Sequence, residues 1–514
     1  MKKYFNLLCG FSSLLVLSGC VGGTESSSNN PNRNPRVQVL SVIKNIYAGI
    51  GDIRVVGSDF VIPFDTGVTG NLYYYEGDYN KAEIAYIQNT FQDSFIRYHA
   101  LSDRHYDYFD FTNSEEGVKI NNVKVINDSY GSEVPINVEP YLYDLLKTSY
   151  DFTLNSNGKF NMFLGGVSSL YEKKLDEVIK EEKTGLNAAF IAATDLQFSD
   201  MSQELKNAID ETVASIPKTK EELEGLLTFD DEKRTVTFHR YKNDNKKPLE
   251  ISLGGNAKGF ATEYICNVLQ EKYPEISMLV NSGFSSIKTL GTRPDGKPWN
   301  IRYNNPAYNE NLFIKKREIN EFEVSLSYLG SFNLSTSGYY NQYFYDYEDG
   351  NIQRRNHIVN PQTGYSESFF DQVSVFIDDT GLADMYTTAL MNCKDVREAK
   401  QLFTHLNDIY QEENAQMLLC YKADKSDYNT PFAYSMSDFD NLSSLRLPIC
   451  ELQGGTLYEG NYQDIKASEI VQSKSTFAPQ YQMVYQMSDM LYENSKIIED
   501  LQYPKNVLAK RAKL

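Results

Sequence analysis

The stretch Ile251 to Ala261 reads Ile-Ser-Leu-Gly-Gly-Asn-Ala-Lys-Gly-Phe-Ala and leaves the backbone little choice. Leu249, Ile251 and Leu253 alternate as in a strand, Gly254-Gly255 interrupts them, and Ala261, Ile265, Val268 and Leu269 then recur at helical spacing. Strand, glycine turn and helix start must therefore follow one another directly. In such a corner bare backbone can approach a phosphate, while helix N–H groups and Lys258 supply positive potential. The same residues also make an ordinary tight turn before a helix. On this stretch alone both readings stand.

At 514 residues the chain is long enough for about two or three core-forming domains. A formal charge of −19 argues against nucleic acid as a partner, because no basic surplus is available to neutralise phosphates. At the N-terminus, Met1-Lys2-Lys3 is positive and Leu7 to Leu17 is apolar but too short to span a bilayer. Leu17-Ser18-Gly19-Cys20 then resembles a bacterial lipobox, with residues 1–20 a signal peptide and Cys20 the lipidated first residue of the mature chain. Residues 21–36 are rich in Gly, Ser, Asn and Pro and read as a flexible tether. The expected location is extracytoplasmic, lipid-anchored to the cell membrane. Cys266, Cys393, Cys420 and Cys450 are widely spaced, indicating neither a zinc site nor a disulfide framework.

Short strands are expected between Val37 and Ile62 and over Asn71 to Tyr75, a helix over Lys81 to Tyr98, and a polar loop at Leu101 to His105. Ile120-Asn121-Asn122 and Ile126-Asn127 read as loops, Val138 to Tyr150 as a helix, and Ser156 to Asn161 as a turn. The charged span 171–226 reads as an accessory helical insertion rather than a site. Strands are expected over Leu227 to His239 (turning at Asp230-Asp231), Leu249 to Leu253, Met278 to Ser282, Val324 to Leu334 and Val373 to Ile377. Thr380 is placed to cap a helix reaching Asn392. Residues 441–514, with their Gln- and Tyr-rich texture and basic tail, read as a helical C-terminal extension. Strands and helices without strict alternation indicate an α+β fold.

Asp384 and Thr388 lie four apart, which on a helix puts a carboxylate and a hydroxyl on one face. Two hard oxygens of this kind, joined by carbonyl and phosphate oxygens, suit Mg2+. An acid near a helix start also serves the helix dipole, so spacing alone leaves both roles open. His357 sits in Asn356-His357-Ile358-Val359-Asn360-Pro361-Gln362-Thr363-Gly364, a rigid loop of the kind that positions ligand groups. No Gly-x-Ser-x-Gly, His-Glu-x-x-His or Walker-type loop is present, and the glycine stretch lacks the three-glycine dinucleotide fingerprint.

Together and in this order, these segments resemble the ApbE family, the FAD:protein FMN transferases, in their bacterial lipoprotein form. The matching segments are Leu253 to Ala261, Leu279 to Gly283, Gly296 to Trp299, Thr336 to Gly338, His357 to Gly364 and Leu382 to Leu390. Upstream, Phe64 to Thr66, Ile120 to Asn127, Asp144 to Leu146 and Asn157 to Asn161 are similar to the family's N-terminal half. The resemblance covers residues 37–440 and implies a T-fold-related transferase domain, α+β, carrying the helical insertion and the C-terminal extension.

It further implies that FAD is cleaved with the help of Mg2+. The FMN half passes to a Thr or Ser of an extracytoplasmic acceptor protein, and AMP is released. By position, Asp384, Thr388 and the carbonyl of Gly255 would hold the metal. Lys258, His357, Ile358 and Ser252 would contact FAD, and Phe64, Gly158, Lys159 and Phe160 would line its adenosine side. His357 and Asp384 are the candidates for handling the acceptor's proton. Ser252, Ser285, Tyr339 and Asn360 stand where the family carries acidic residues. Those losses leave an alternative in view, a surface lipoprotein that binds FAD without catalysis or hydrolyses it weakly.

Overall fold

The computed structural model describes residues 35–41, 53–55, 63–181, 201–244, 247–283, 285–304, 306, 322–339, 343–348, 351–367, 369–422, 446–449, 458–461, 471–472, 483–497 and 509–514. The expected signal peptide, Cys20 and most of the tether lie outside the described residues. No helix among the described residues is long and apolar enough to cross a membrane.

Nine strands form the main sheet and lie side by side in chain order: β1 (Arg36–Ser41), β2 (Val68–Tyr74), β3 (Ser277–Ser282), β4 (Ser286–Leu290), β5 (Asn333–Gly338), β6 (Gln372–Phe376), β7 (Gln416–Lys422), β8 (Met483–Met487) and β9 (Ala509–Lys513). Every neighbouring pair is antiparallel except β8 and β9, which run parallel. Side-chain alternation splits the apolar residues between two cores. Leu72, Val280, Val375, Met417 and Leu419 face the larger one, packed under helices. Tyr73, Leu279, Leu334, Leu418 and Cys420 face a smaller one, covered by the three-stranded sheet Trp299–Asn304, Phe322–Tyr328 and Ser495–Ile497. Each such side chain contributes about 1.5–3 kcal/mol by leaving water, so a one-residue slip of any central strand would be strongly opposed.

The helices are α1 (Lys81–Ser102), α2 (Pro140–Asn155), α3 (Gly165–Glu181), α4 (Gln203–Ala214), α5 (Ala257–Lys272), α6 (Thr380–Met391) and α7 (Val396–Tyr410). Helix α6 carries almost nothing polar to solvent: all its residues except Thr388 are buried, as befits a helix lying between the sheet and its neighbours. The mixture of helix and strand is the α+β class expected.

Several local expectations change. Asn122 and Asn127 belong to a short helix, Val123–Asp128, which Asn122 caps by accepting the Val125 N–H at 3.2 Å. Asn127 donates to the Ile251 carbonyl at 3.0 Å and accepts the Ile251 N–H at 2.8 Å. Leu249 to Leu253 belongs to none of the sheets: Glu250 makes an isolated parallel bridge with Leu164, and the Asn127 amide takes both backbone groups of Ile251. Arg104, expected in a polar loop, is 8% exposed. It donates to the Gly165 carbonyl, Ser169, Glu172 and Glu250.

The run Val324 to Leu334 divides into two strands at Gly330, whose φ of +97° suits glycine. The hairpin after Leu227 turns one residue later than expected, with Asp230 still in strand. Thr380 is the first helical residue of α6, and Asp379 is its cap, accepting the Leu382 N–H at 2.8 Å. Beyond residue 441 the described elements are mostly strands, two of which complete the main sheet; one short helix, Asp489–Glu493, is present.

Cys266 and Cys393 are free and buried, Cys420 is buried, and Cys450 lies outside the described residues. Burial pushes the thiols of Cys266 and Cys393 up to about 12. The thiolate is the reactive form. Maleimide at pH 8 is therefore expected to leave both unlabelled in the native protein and to label both in denaturant, as read by peptide mass mapping.

Candidate active site

The Asn127 clamp delivers Leu253 to a turn in which Ala257 N–H reaches the Leu253 carbonyl at 2.9 Å, and α5 begins. Asn256, the N-cap of α5, makes no capping bond with its side chain and donates to Ser149 instead. The cap comes from another helix: Asp384 Oδ2 on α6 accepts the N–H of Gly259, the third residue of α5, at 2.8 Å. The two helix starts nearly touch. A Cβ on Gly259 would run into the Thr380 carbonyl and lie 2.9 Å from the Asp384 carboxylate, and one on Gly381 would lie 2.9 Å from Phe260 Cα.

Asp384 is 3% exposed. Its Oδ1 accepts from Ser286 at 2.8 Å, from Ser285 at 3.4 Å, and from Ser335. Burial pushes its carboxyl above the usual range, and the opposing pull of Lys258, Ser335, Ser286 and the Gly259 N–H only partly offsets that. One turn later, the Thr388 hydroxyl donates to the Gly255 carbonyl at 3.3 Å. Sequence reasoning thus found four residues that the fold assembles: Gly255, Lys258, Asp384 and Thr388.

Two further segments meet here. Phe160 would lie 3.4 Å from a Cβ on Gly255, so its ring walls the glycine corner. Asn392, the C-cap of α6, donates to the carbonyls of Lys159 and Val359, joining the turn at 156–161 to the His357 loop. Gly158, at φ +72°, faces Gln362 of that loop. The Lys159 ammonium lies 3.0 Å from the Asn392 carbonyl and 3.0 Å from Glu398, and so clamps the end of α6. Ile358 is buried, His357 is exposed, and Ser252 N–H is bound to the Met162 carbonyl at 2.8 Å. Phe64 lies two residues before Thr66, which covers Gly283 at the start of the Ser285-Ser286 pair.

A profile of the ApbE family matches residues 112–410, more than half of the chain and nearly every segment just described. The chain belongs to the ApbE family. Among solved structures it is similar to the ApbE protein of Thermotoga maritima, with 20% identity, 70% of this chain and 92% of that one covered, and a TM-score of 0.46. It is also similar to the flavin transferase ApbE of Vibrio cholerae, with 17% identity, 76% and 95% covered, and a TM-score of 0.47. For the flavinyl transferase ApbE of Pseudomonas stutzeri the figures are 17%, 77% and 94%, and 0.47. No curated protein sequence gives a significant match.

Three of the positions where the resemblance implied acidic residues have definite contacts or burial here. Ser285 touches Asp384, Asn360 holds its loop by accepting the Gln362 N–H and donating to Glu367, and Tyr339 is 1% exposed in the core. Among the described residues no three His, Cys, Asp or Glu side chains cluster as a metal site. The donor set nevertheless fits a hard cation. The Thr388 and Gly255 oxygens lie 3.3 Å apart, near the roughly 3 Å between adjacent oxygens of a Mg2+ shell. Asp384 Oδ2 accepts one hydrogen bond and keeps a second lone pair.

Sequence reasoning assigned no role to Gly259, to Ser286 and Ser335 beside Asp384, or to the helical insertion at the site. Gly364 is pressed against Val213 and Ile209 of α4, Tyr365 donates to Asp210, and Lys218 donates to the Gln362 carbonyl at 2.7 Å. The insertion thus braces the His357 loop. A cavity of about 530 Å³ lined by Arg97, Asp110, Asn121 and Asn137 contains none of these residues.

Proposed function

We propose that the protein is a Mg2+-dependent FAD:protein FMN transferase acting outside the cytoplasm, anchored through a lipid on Cys20. The observation that carries this reading is the meeting of Thr388, Gly255, Asp384 and Lys258 at the starts of α5 and α6, within the ApbE match. The oxygens of Gly255, Thr388 and Asp384 would hold the metal, which when bound withdraws charge from the diphosphate. Lys258 adds positive potential at the helix start, where developing negative charge is best stabilised. The acceptor's hydroxyl oxygen forms a bond to the FMN phosphorus, the bond from that phosphorus to the AMP oxygen breaks, and AMP leaves. Asp384 is buried under hydroxyls, whereas His357 is exposed on a braced loop, so His357 is better placed to take the hydroxyl proton.

The test uses the chain from residue 37 onward, FAD, Mg2+ and a Thr-containing acceptor domain. AMP release and an FMN mass increment on the acceptor are expected, and EDTA should abolish both. Thr388→Val should lower the rate by at least about tenfold. FAD retained tightly with no AMP released would favour the non-catalytic alternative, which the fully occupied Oδ1 of Asp384 supports.

A further inference from the structure

Phe64 holds φ 54° and ψ 28°, a left-handed conformation that aromatic residues rarely adopt. The cause lies in the last turn of α1. Phe64 N–H donates to His99 Nδ1 at 3.0 Å, and the two rings meet edge to face at 5.5 Å. A backbone N–H can only donate, so Nδ1 carries no proton and the neutral ring keeps its hydrogen on Nε2. Nε2 lies 3.0 Å from the Tyr108 hydroxyl, which itself donates to Asp103 Oδ2 at 2.8 Å. Asp103 Oδ1 is fixed in turn by the N–H groups of His105 and Tyr106. A directed chain therefore runs from Asp103 through Tyr108 and His99 to one backbone amide. The tautomer it selects is the one that Phe64 requires.

The conformation of Phe64 has consequences toward the active site. The turn closes with Thr66 N–H on the Pro63 carbonyl at 3.2 Å, and Gly283 N–H reaches the Gly67 carbonyl at 2.9 Å. Thr66 sits over Gly283, which has φ +64° and no room for a Cβ. Ser285 and Ser286, which hold Asp384, follow immediately. We propose that His99 is a positioning residue of the active site: as the Nε2-protonated tautomer it locks Phe64, seats Thr66 on Gly283, and so sets the edge against which the flavin nucleotide binds. The nucleotide part rests on the function proposed above.

The test compares His99→Phe, which keeps a ring but loses the acceptor, with His99→Asn, whose Oδ1 can stand in for Nδ1. In His99→Phe the amide of Phe64 is expected to exchange with solvent at least about tenfold faster. FAD affinity should fall about tenfold, with kcat changed by less than about threefold. His99→Asn should recover most of both. Wild-type amide exchange and FAD affinity in a folded His99→Phe would overturn the proposal. Ring nitrogen chemical shifts of His99 give a check that needs no variant: a proton on Nδ1 would equally overturn it. If the wild type binds no FAD, the functional reading fails, while exchange and tautomer still decide whether the lock exists.

Discussion

Replacing Asp384 by Asn is expected to leave a folded protein whose AMP release from FAD is about 100- to 1,000-fold slower, the usual consequence of removing one electrostatic group from a reacting centre. The substitution separates two roles that the geometry superimposes. As a cap for α5, Asp384 needs only an acceptor facing Gly259 N–H, and the Asn carbonyl supplies it. The serine hydroxyls at 286 and 335 can turn from donating to accepting, so the Asn amide group finds partners too. Melting should shift by less than about 3 °C. Asp384→Leu, by contrast, leaves the Gly259 N–H without its acceptor, at about 1–3 kcal/mol for a buried unpaired group, while the serine hydroxyls fall back on one another and on nearby carbonyls. Loss of activity in both variants with loss of stability only in the second is the expected pattern. Full activity in Asp384→Asn would remove the carboxylate from the chemistry.

The same residue gives a pH dependence whose sign can be worked out. Burial raises the Asp384 carboxyl above its unfolded value, so between the two values the native state binds more protons than the unfolded chain. The contribution of Asp384 to stability is therefore greatest in acid and diminishes as pH rises through that interval. Denaturant titrations of wild type and Asp384→Asn over this range should differ by that slope alone.

The legibility of this site divides along a physical line. Asp384 and Thr388 share a helix, so their relation is a matter of local period and could be read directly. Gly255 lies within, and Lys258 just after, a turn that the apolar lead-in and the helical period on either side of it marked out. Contacts that depend on how elements cross were invisible. Asn127 binds Ile251 across 124 residues, and no periodicity announces a side-chain amide that holds both backbone groups of a distant residue. Ser286 and Ser335 pair across the adjacent strands β4 and β5, and Ser285 is the turn residue just before β4, so it is strand pairing that brings these hydroxyls to Asp384. The C-terminal strands were misread because two of them are added to the edge of a sheet begun hundreds of residues earlier, one of them in parallel. β8 is only five residues long and β9, Ala-Lys-Arg-Ala-Lys, carries no large apolar side chain, so neither offers a run of alternation to read.

The glycine stretch itself yields the sharpest stability prediction, because its three glycines do different work. None has a positive φ, so space alone decides what a methyl group costs. At Gly254 a Cβ would meet nothing nearer than Ser252 Oγ at 3.8 Å, and Gly254→Ala should be nearly neutral. At Gly255 it would lie 3.3 Å from Thr388 Oγ1 and 3.4 Å from Phe160, contacts that small side-chain shifts relieve. At Gly259 it would strike the Thr380 carbonyl, which is backbone in the first turn of α6. That turn cannot slide away freely, since Thr380 N–H and hydroxyl are both tied to Glu263 of α5, at 3.0 and 2.8 Å. Overpacking of this kind costs about 1–3 kcal/mol. It also moves Asp384 relative to Gly255, and a displacement of about 1 Å at a reacting centre is worth about 100-fold in rate. Gly259→Ala is therefore expected to lower both melting temperature and AMP release far more than Gly255→Ala, with Gly254→Ala least affected. If the three variants lost activity equally, the stretch would owe its glycines to ligand approach along the whole turn, and the close crossing of α5 and α6 would not be what positions Asp384 and Thr388.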